Sequence, residues 1–241
     1  MAKFNEDWKV GPSDPPELLD EGILSATGEI VMPLGRFPRR MTVVKMRSGG
    51  VAIWSAIALD EEGMAEIEAL GEPEFLIVPN PGHRTDAKIF KDRYPDMRVI
   101  TPPGAKAGVE EAVPVDATTD VLKDPDVKFI VVDGTDEMES ALTIRRKDGV
   151  TLVTNDIIGH VPHPHGIGAN IMARLFDYGV HEPAVPNTIR RFIKDEKALA
   201  NQLRGWADLP DLKRIIISHV DPITDDPAGQ LRRLADEMEK D

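Results

Sequence analysis

Histidines and carboxylates follow several apolar, strand-like segments of this sequence. His83 and Asp86 come after the run FLIVP. Asp156 closes the block TLVTND, and His219 comes directly after KRIIIS. Loops at strand ends are where layered α/β folds build their sites, and imidazole and carboxylate groups suit Zn²⁺, Mn²⁺ or Fe. Asp133 ends a further run, VKFIVV, and each of these residues taken alone is also typical of a cap, a turn or a structural hydrogen bond. We predict His83, Asp86, Asp156 and His219 as the metal ligands, and Asp86 and Asp156 as the catalytic carboxylates.

A second group of histidines and a cluster of arginines are further candidates. His160, His163 and His165 stand within six residues, in a segment stiffened by two prolines. This segment either binds a metal or is an exposed loop, and its residue types leave both open. His181 stands alone, which is typical of a structural histidine. The run RFPRR at 36–40 either grips an anion or balances acidic neighbours.

Several well-known signatures are missing from the sequence. There is no G-x-G-x-x-G after a strand, no G-x-x-x-x-G-K-[ST] and no G-x-S-x-G, so nucleotide-binding and α/β-hydrolase functions lack their motifs. The chain has no cysteine, which excludes disulfides, thiolate nucleophiles, iron–sulfur clusters and cysteine-based zinc sites.

The apolar runs indicate strands and helices that alternate along the chain. Two hairpins are predicted, with Ser48-Gly49-Gly50 and Lys147-Asp148-Gly149 at their turns. Single strands are predicted over 28–33, 75–79, 97–101, 127–133 and 213–218, and helices over 85–94, 166–178 and 187–206, with others beginning near Asp60 and at Asp226-Pro227. This alternation predicts mixed sheets with helices outside, as an αββα sandwich or a mixed doubly wound sheet.

The N-terminal stretch differs in composition from the rest. Residues 1–27 are polar and proline-rich and are predicted to be an extended lead-in, while 28–241 are predicted to form a single domain because no internal linker is long. The sequence shows no signal-peptide pattern and no apolar run long enough to span a bilayer. We therefore expect a cytoplasmic protein.

Several ordered blocks resemble a known superfamily. RMTVVKMRSGG at 40–50, WSAIALD at 54–60 and FLIVPN at 75–80 look like the opening of a metallo-β-lactamase-like domain. PNPGH at 79–83 is similar to the P-N-x-x-H stretch of a divergent bacterial branch of unknown function, and 93–99, 102–104, 151–156 and 217–222 also resemble that branch. The resemblance covers roughly residues 28–238. It implies an α+β fold, an αββα sandwich of two mixed β-sheets flanked by helices.

The resemblance also implies a metal site, from which this sequence departs. Active members hold two metals with an H-x-H-x-D-H loop, another His, a bridging Asp after a strand and a final His. Asp156 matches the bridging Asp, and His219 matches the final His. The stretch 80–86 keeps one His and one Asp without the family spacing, and Arg84 adds a cation there. The region 133–137 offers acidic side chains where the middle His would lie. The resemblance therefore implies an incomplete, degenerate site.

Two functions from different classes remain open. One is a protein of unknown function that binds a small molecule or a protein partner and catalyses nothing. The alternative is a mononuclear metal-dependent hydrolase of a small substrate, in which a metal activates water and a carboxylate accepts its proton. The expected cofactor is one weakly held Zn, Mn or Fe ion, or none, and a dinuclear hydrolase is not expected. The sequence names neither a substrate nor an oligomeric state.

The charge of the chain gives a prediction about its partners. With 29 Lys and Arg against 42 Asp and Glu, the net charge is −13, which opposes nucleic-acid phosphates and anionic membrane surfaces. We expect no change in fluorescence anisotropy when labelled duplex DNA or RNA is titrated with the protein at about 150 mM salt. Micromolar affinity under these conditions would contradict the prediction and favour a nuclease.

Overall fold

The fold consists of two mixed β-sheets and several helices. The computed structural model describes residues 4–32, 35–160, 179–180, 182–219 and 221–239. Contacts group the chain into two compact units, the first formed by Met1–Glu29 with Pro38–Phe129 and the second by Ile30–Phe37 with Ile130–Asp241.

Ten strands form the sheets among the described residues. The six-stranded sheet has the order β1-β2-β3-β4-β5-β6 and contains Glu17–Asp20 (β1), Ile23–Met32 (β2), Gly35–Lys45 (β3), Val51–Trp54 (β4), Pro73–Ile77 (β5) and Arg98–Ile100 (β6). The four-stranded sheet has the order β10-β9-β8-β7 and contains Val127–Val131 (β7), Ser140–Arg146 (β8), Gly149–Thr154 (β9) and Leu212–Ile216 (β10). Antiparallel and parallel pairs occur in both sheets. The predicted α+β class with two mixed sheets is confirmed.

Three of the six described helices begin where an aspartate caps them. The six described helices are Glu61–Leu70 (α1), Ala87–Arg93 (α2), Lys106–Val109 (α3), Asn187–Arg190 (α4), Glu196–Ala207 (α5) and Pro227–Met238 (α6), with 3₁₀ turns at Pro81–His83 and Pro103–Ala105. Asp60, Asp195 and Asp226 each accept a hydrogen bond from the backbone N–H three residues further on, which satisfies a donor that the helix leaves open. None of the described helices is long and apolar enough to cross a membrane.

Each unit has its own apolar core. In the first unit, Met64, Ile67 and Phe90 of α1 and α2 pack with strand residues such as Ile53 and Leu76. In the second unit, Leu203 of α5 and Leu231 and Leu234 of α6 pack with Leu152 of β9 and Ile215 of β10. Since burial of one such side chain contributes about 1.5–3 kcal/mol, these cores fix the positions of the strands whose ends carry the candidate site.

Several predicted elements can be compared with the structure. Both predicted hairpins are confirmed, since β3 pairs antiparallel with β4 and β8 with β9. The strand predicted from residue 28 begins at Ile23 and follows β1, so the sheet starts within the stretch predicted to be a lead-in. The helix predicted over 166–178 lies outside the described residues. The single domain predicted over 28–241 stays a prediction.

The helix predicted over 187–206 is two helices, α4 and α5. The interruption has a physical cause, because the backbone N–H groups of Lys194 and Asp195 donate to the Gly134 carbonyl at 2.7 and 3.2 Å. The Asp195 side chain then caps α5 by accepting from Ala198 N–H at 2.9 Å. Backbone groups that are bonded to another loop cannot continue a helix.

Gly134 supports this contact and gives a prediction about stability. Its φ is +76°, and an added Cβ would lie 2.2 Å from the Asp195 carbonyl oxygen. We expect Gly134→Ala to lower the free energy of unfolding by roughly 1–3 kcal/mol or more, because it combines a left-handed backbone with a clash. Urea denaturation measures the change.

Gly205→Ala is the matched control for this substitution. Gly205 is exposed within α5, and nothing lies within 4 Å of an added Cβ. We expect alanine there to raise the free energy of unfolding by about 0.5–1 kcal/mol. Equal effects of the two substitutions would contradict the structural role of Gly134.

Candidate functional site

The parallel pairing of β9 with β10 places two of the predicted ligands side by side. Ile216 pairs with Val153 at the end of the ladder, and three residues further along each chain lie His219 and Asp156. Carboxyl ends of parallel strands meet at one edge of a sheet, so this register brings the two side chains together.

The two side chains are in direct contact. His219 Nε2 lies 2.8 Å from Asp156 Oδ1, and the side chains are 18% and 20% exposed. The sequence prediction that these residues share one sheet edge is confirmed. The arrangement offers an imidazole nitrogen and a carboxylate oxygen together at a position that solvent reaches.

His83 lies in the first unit, after β5. Asn80 accepts from the backbone N–H of Gly82 at 2.7 Å and so begins the 3₁₀ turn Pro81–His83. His83 Nδ1 then lies 2.7 Å from Ser55 Oγ. When the hydroxyl accepts from Nδ1–H, Nε2 keeps its lone pair, which is the arrangement that a ligating histidine needs. His83 is half-buried.

Ser55 is a site residue that sequence reasoning missed. It follows Trp54, the last residue of β4, and its φ is +54°, in the left-handed region. Its backbone N–H donates to the Ile77 carbonyl at 3.0 Å, at the end of the neighbouring parallel strand β5. The rule that identified His83 and Asp156, a polar side chain in the loop that follows an apolar strand, also applies to Ser55.

Asp86 is surrounded by protein partners. Its side chain is fully buried, and Oδ2 forms an ion pair with Arg39 Nη2 at 2.7 Å. Asn5 Nδ2 donates to Oδ1 at 2.6 Å, and the backbone N–H of Ala58 donates to Oδ2 at 3.2 Å. Both carboxylate oxygens therefore accept hydrogen bonds within the first unit. Arg39, from the predicted arginine cluster, balances an acidic neighbour.

Arg84, which the sequence placed near a metal, also has protein partners. Its guanidinium forms an ion pair with Glu111 at 2.7 Å and donates to the Pro81 carbonyl at 2.9 Å. Of the remaining candidates, Asp133 is exposed and His160 is half-buried. His163, His165 and His181 lie outside the described residues.

Solved structures similar to this chain are metallo-β-lactamases. The mono-zinc form of FIM-1 from Pseudomonas aeruginosa matches 95% of this chain and 97% of its own, with a TM-score of 0.63 and 11% sequence identity. The enzyme from Erythrobacter litoralis, with β-mercaptoethanol in its active site, matches 92% and 96%, with a TM-score of 0.62 and 14% identity. The metallo-β-lactamase from Hirschia baltica matches 92% of this chain and 98% of its own, with a TM-score of 0.60 and 11% identity. No protein-family model and no curated protein matches the chain.

The chain therefore has the metallo-β-lactamase fold. The resemblance inferred from its sequence blocks is confirmed at the level of the fold, and identities of 10–14% fit a divergent branch. At the edge of its second sheet the chain keeps a His–Asp pair suited to a metal.

The contacts of Asp86 predict a structural effect. We expect Asp86→Asn to lower the free energy of unfolding by roughly 3 kcal/mol, because it leaves the Arg39 guanidinium without its buried counter-charge. Chemical denaturation measures the change. The folded variant should bind metal as the parent protein does.

Asp92→Asn is the control for an exposed ion pair. Asp92 pairs with Lys88 one helical turn away at 2.5 Å, and its side chain is 56% exposed, so we expect a loss below about 0.5 kcal/mol. If Asp86→Asn were equally mild but abolished metal binding, Asp86 would be a ligand, as the sequence predicted.

Proposed function

We propose that this chain is a single-metal protein of the metallo-β-lactamase fold, with His219 and Asp156 as its principal ligands. The observation that carries the proposal is the 2.8 Å contact between the two side chains at a solvent-reached sheet edge. One imidazole and one carboxylate suit Zn²⁺, Mn²⁺ or Fe²⁺. His83, which the sequence predicts as a ligand, is half-buried in the first unit, where Ser55 orients its ring, and its role in metal binding stays a prediction.

The number of side chains that can ligate a metal favours one ion rather than two. The carboxylate of Asp86 accepts bonds from Arg39, Asn5 and Ala58, so it is left out of the proposed set. The stretch 80–86 supplies one histidine, and 133–137 supplies none. Two metals that share a site need more ligands than these stretches provide.

The His–Asp pair also limits the affinity. His219 and Asp156 are already bonded to each other, and a ligating atom must be free of its proton. A metal therefore competes with this hydrogen bond, so the affinity should be low. We propose a weakly held ion for this reason.

Hydrolysis of a small substrate is the activity that such a site supports. A bound divalent ion would lower the pKa of a water molecule at that position. If one carboxylate oxygen of Asp156 held the ion, its other oxygen would be placed to accept a proton from that water molecule. A scaffold that binds a small molecule or a protein without catalysis is the second candidate, favoured by the small number of donors. We propose neither nucleic acid nor membrane as a partner.

Metal analysis tests the proposal. After incubation with Zn²⁺ or Mn²⁺ and desalting, we expect at most one equivalent by elemental analysis, removed by a mild chelator. The melting temperature should hardly change, because the stabilisation RT ln(1 + [L]/Kd) vanishes when Kd exceeds the free metal concentration. His219→Ala and Asp156→Asn should each abolish the binding.

His163→Ala is the control, and it should bind metal like the parent protein. Two tightly held metal equivalents with a large rise in melting temperature would contradict the proposal and favour a dinuclear hydrolase. No metal binding, with an unchanged melting temperature, would favour the non-catalytic scaffold.

A further inference from the structure

Three buried polar side chains of the second unit are linked to the segments that carry the His–Asp pair. Glu139, Asn155 and Ser218 are 2%, 0% and 2% exposed. Glu139 precedes β8, Asn155 follows β9 and Ser218 follows β10. They come from three neighbouring strands of one sheet, and the proposed chemistry uses none of them.

The three side chains form one hydrogen-bonded chain. Ser218 Oγ donates to Asn155 Oδ1 at 2.6 Å, and Asn155 Nδ2 donates to Glu139 Oε2 at 3.2 Å. An amide is the side chain that can accept from a hydroxyl and donate to a carboxylate at once. An aspartate at 155 could not donate to Glu139 and would place a second buried carboxylate beside it.

Two of the buried residues directly precede the members of the His–Asp pair in the sequence. Asn155 precedes Asp156, and Ser218 precedes His219. The hydrogen bond between Ser218 and Asn155 therefore fixes the two backbone segments from which the side chains of Asp156 and His219 project. β9 ends at Thr154 and β10 at Ile216, so the ladder itself does not hold these segments.

We propose that Asn155 is a positioning residue. Anchored by Glu139, its amide holds Ser218 and thereby sets the separation of His219 and Asp156. Where metal is concerned, the inference rests on the proposed function. The hydrogen bond between His219 and Asp156 is independent of metal and provides a separate readout.

Small substitutions test the role of Asn155. Asn155→Asp exchanges the NH₂ donor to Glu139 for an oxygen, Ser218→Ala removes the hydroxyl, and Ser218→Thr keeps a hydroxyl. We expect the first two to weaken Co²⁺ binding 10- to 100-fold, the usual effect of losing a group that orients a ligand. In the metal-free proteins, the ¹⁵N signals of the His219 ring should shift. Ser218→Thr should stay near the parent protein in both measurements.

Thr154→Val is the matched control. Thr154 adjoins Asn155 and is fully buried, and its Oγ1 has no hydrogen-bond partner among the described residues. Valine keeps its shape, so neither Co²⁺ affinity nor the His219 signals should change. A control that shifted them as much as Ser218→Ala would overturn the inference, because any change at this edge would then have the same effect.

The outcomes separate the inference from the proposed function. If the parent protein binds no Co²⁺, the proposed function fails, and the metal-free His219 signals alone decide the role of Asn155. Unchanged His219 signals in Asn155→Asp and Ser218→Ala would overturn the inference even if the parent binds metal. If Asn155→Asp does not fold, Ser218→Ala and Ser218→Thr test the inference, because the first removes the hydroxyl and the second keeps it.

Discussion

The parallel pairing of β9 with β10 is the interaction on which the candidate site depends. Leu152, Val153, Ile215 and Ile216 are almost completely buried along this pair. A slip of one residue would turn Leu152 or Ile215 away from the core that both share with α5 and α6, so this core holds the register. The same register places His219 beside Asp156. The geometry of the pair is thus a consequence of apolar packing.

Two aspartates that follow strands have opposite surroundings in this protein. Asp86 is fully buried and faces the Arg39 guanidinium, a permanent cation. Asp156 is partly exposed and faces an imidazole, whose charge depends on pH. The first environment makes a fixed structural ion pair, and the second makes a group that a metal or a proton can reach. Residue type and position after a strand do not distinguish the two.

The fold persists at 10–14% identity to metallo-β-lactamases of known structure. A core requires apolar side chains of suitable size at the correct period, and many sequences satisfy this. A metal site requires particular donors at particular positions. Fold therefore does not fix function. Both carboxylate oxygens of Asp86 have protein partners, and its predicted role as a ligand stays a prediction.

The sequence by itself determined the class of fold and one pair of site residues. Hairpin turns with glycine at 48–50 and 147–149, apolar runs and aspartate caps are local signals, and the structure confirms them. Asp156 and His219 were found because each follows an apolar strand. Tertiary structure alone decided which partners these and the other polar residues have. Asn5 and Asp86 are 81 positions apart, and Ser218 and Asn155 are 63 apart. Hydrogen bonds over such separations form only after the sheets and cores have brought the segments together, so no local pattern encodes them.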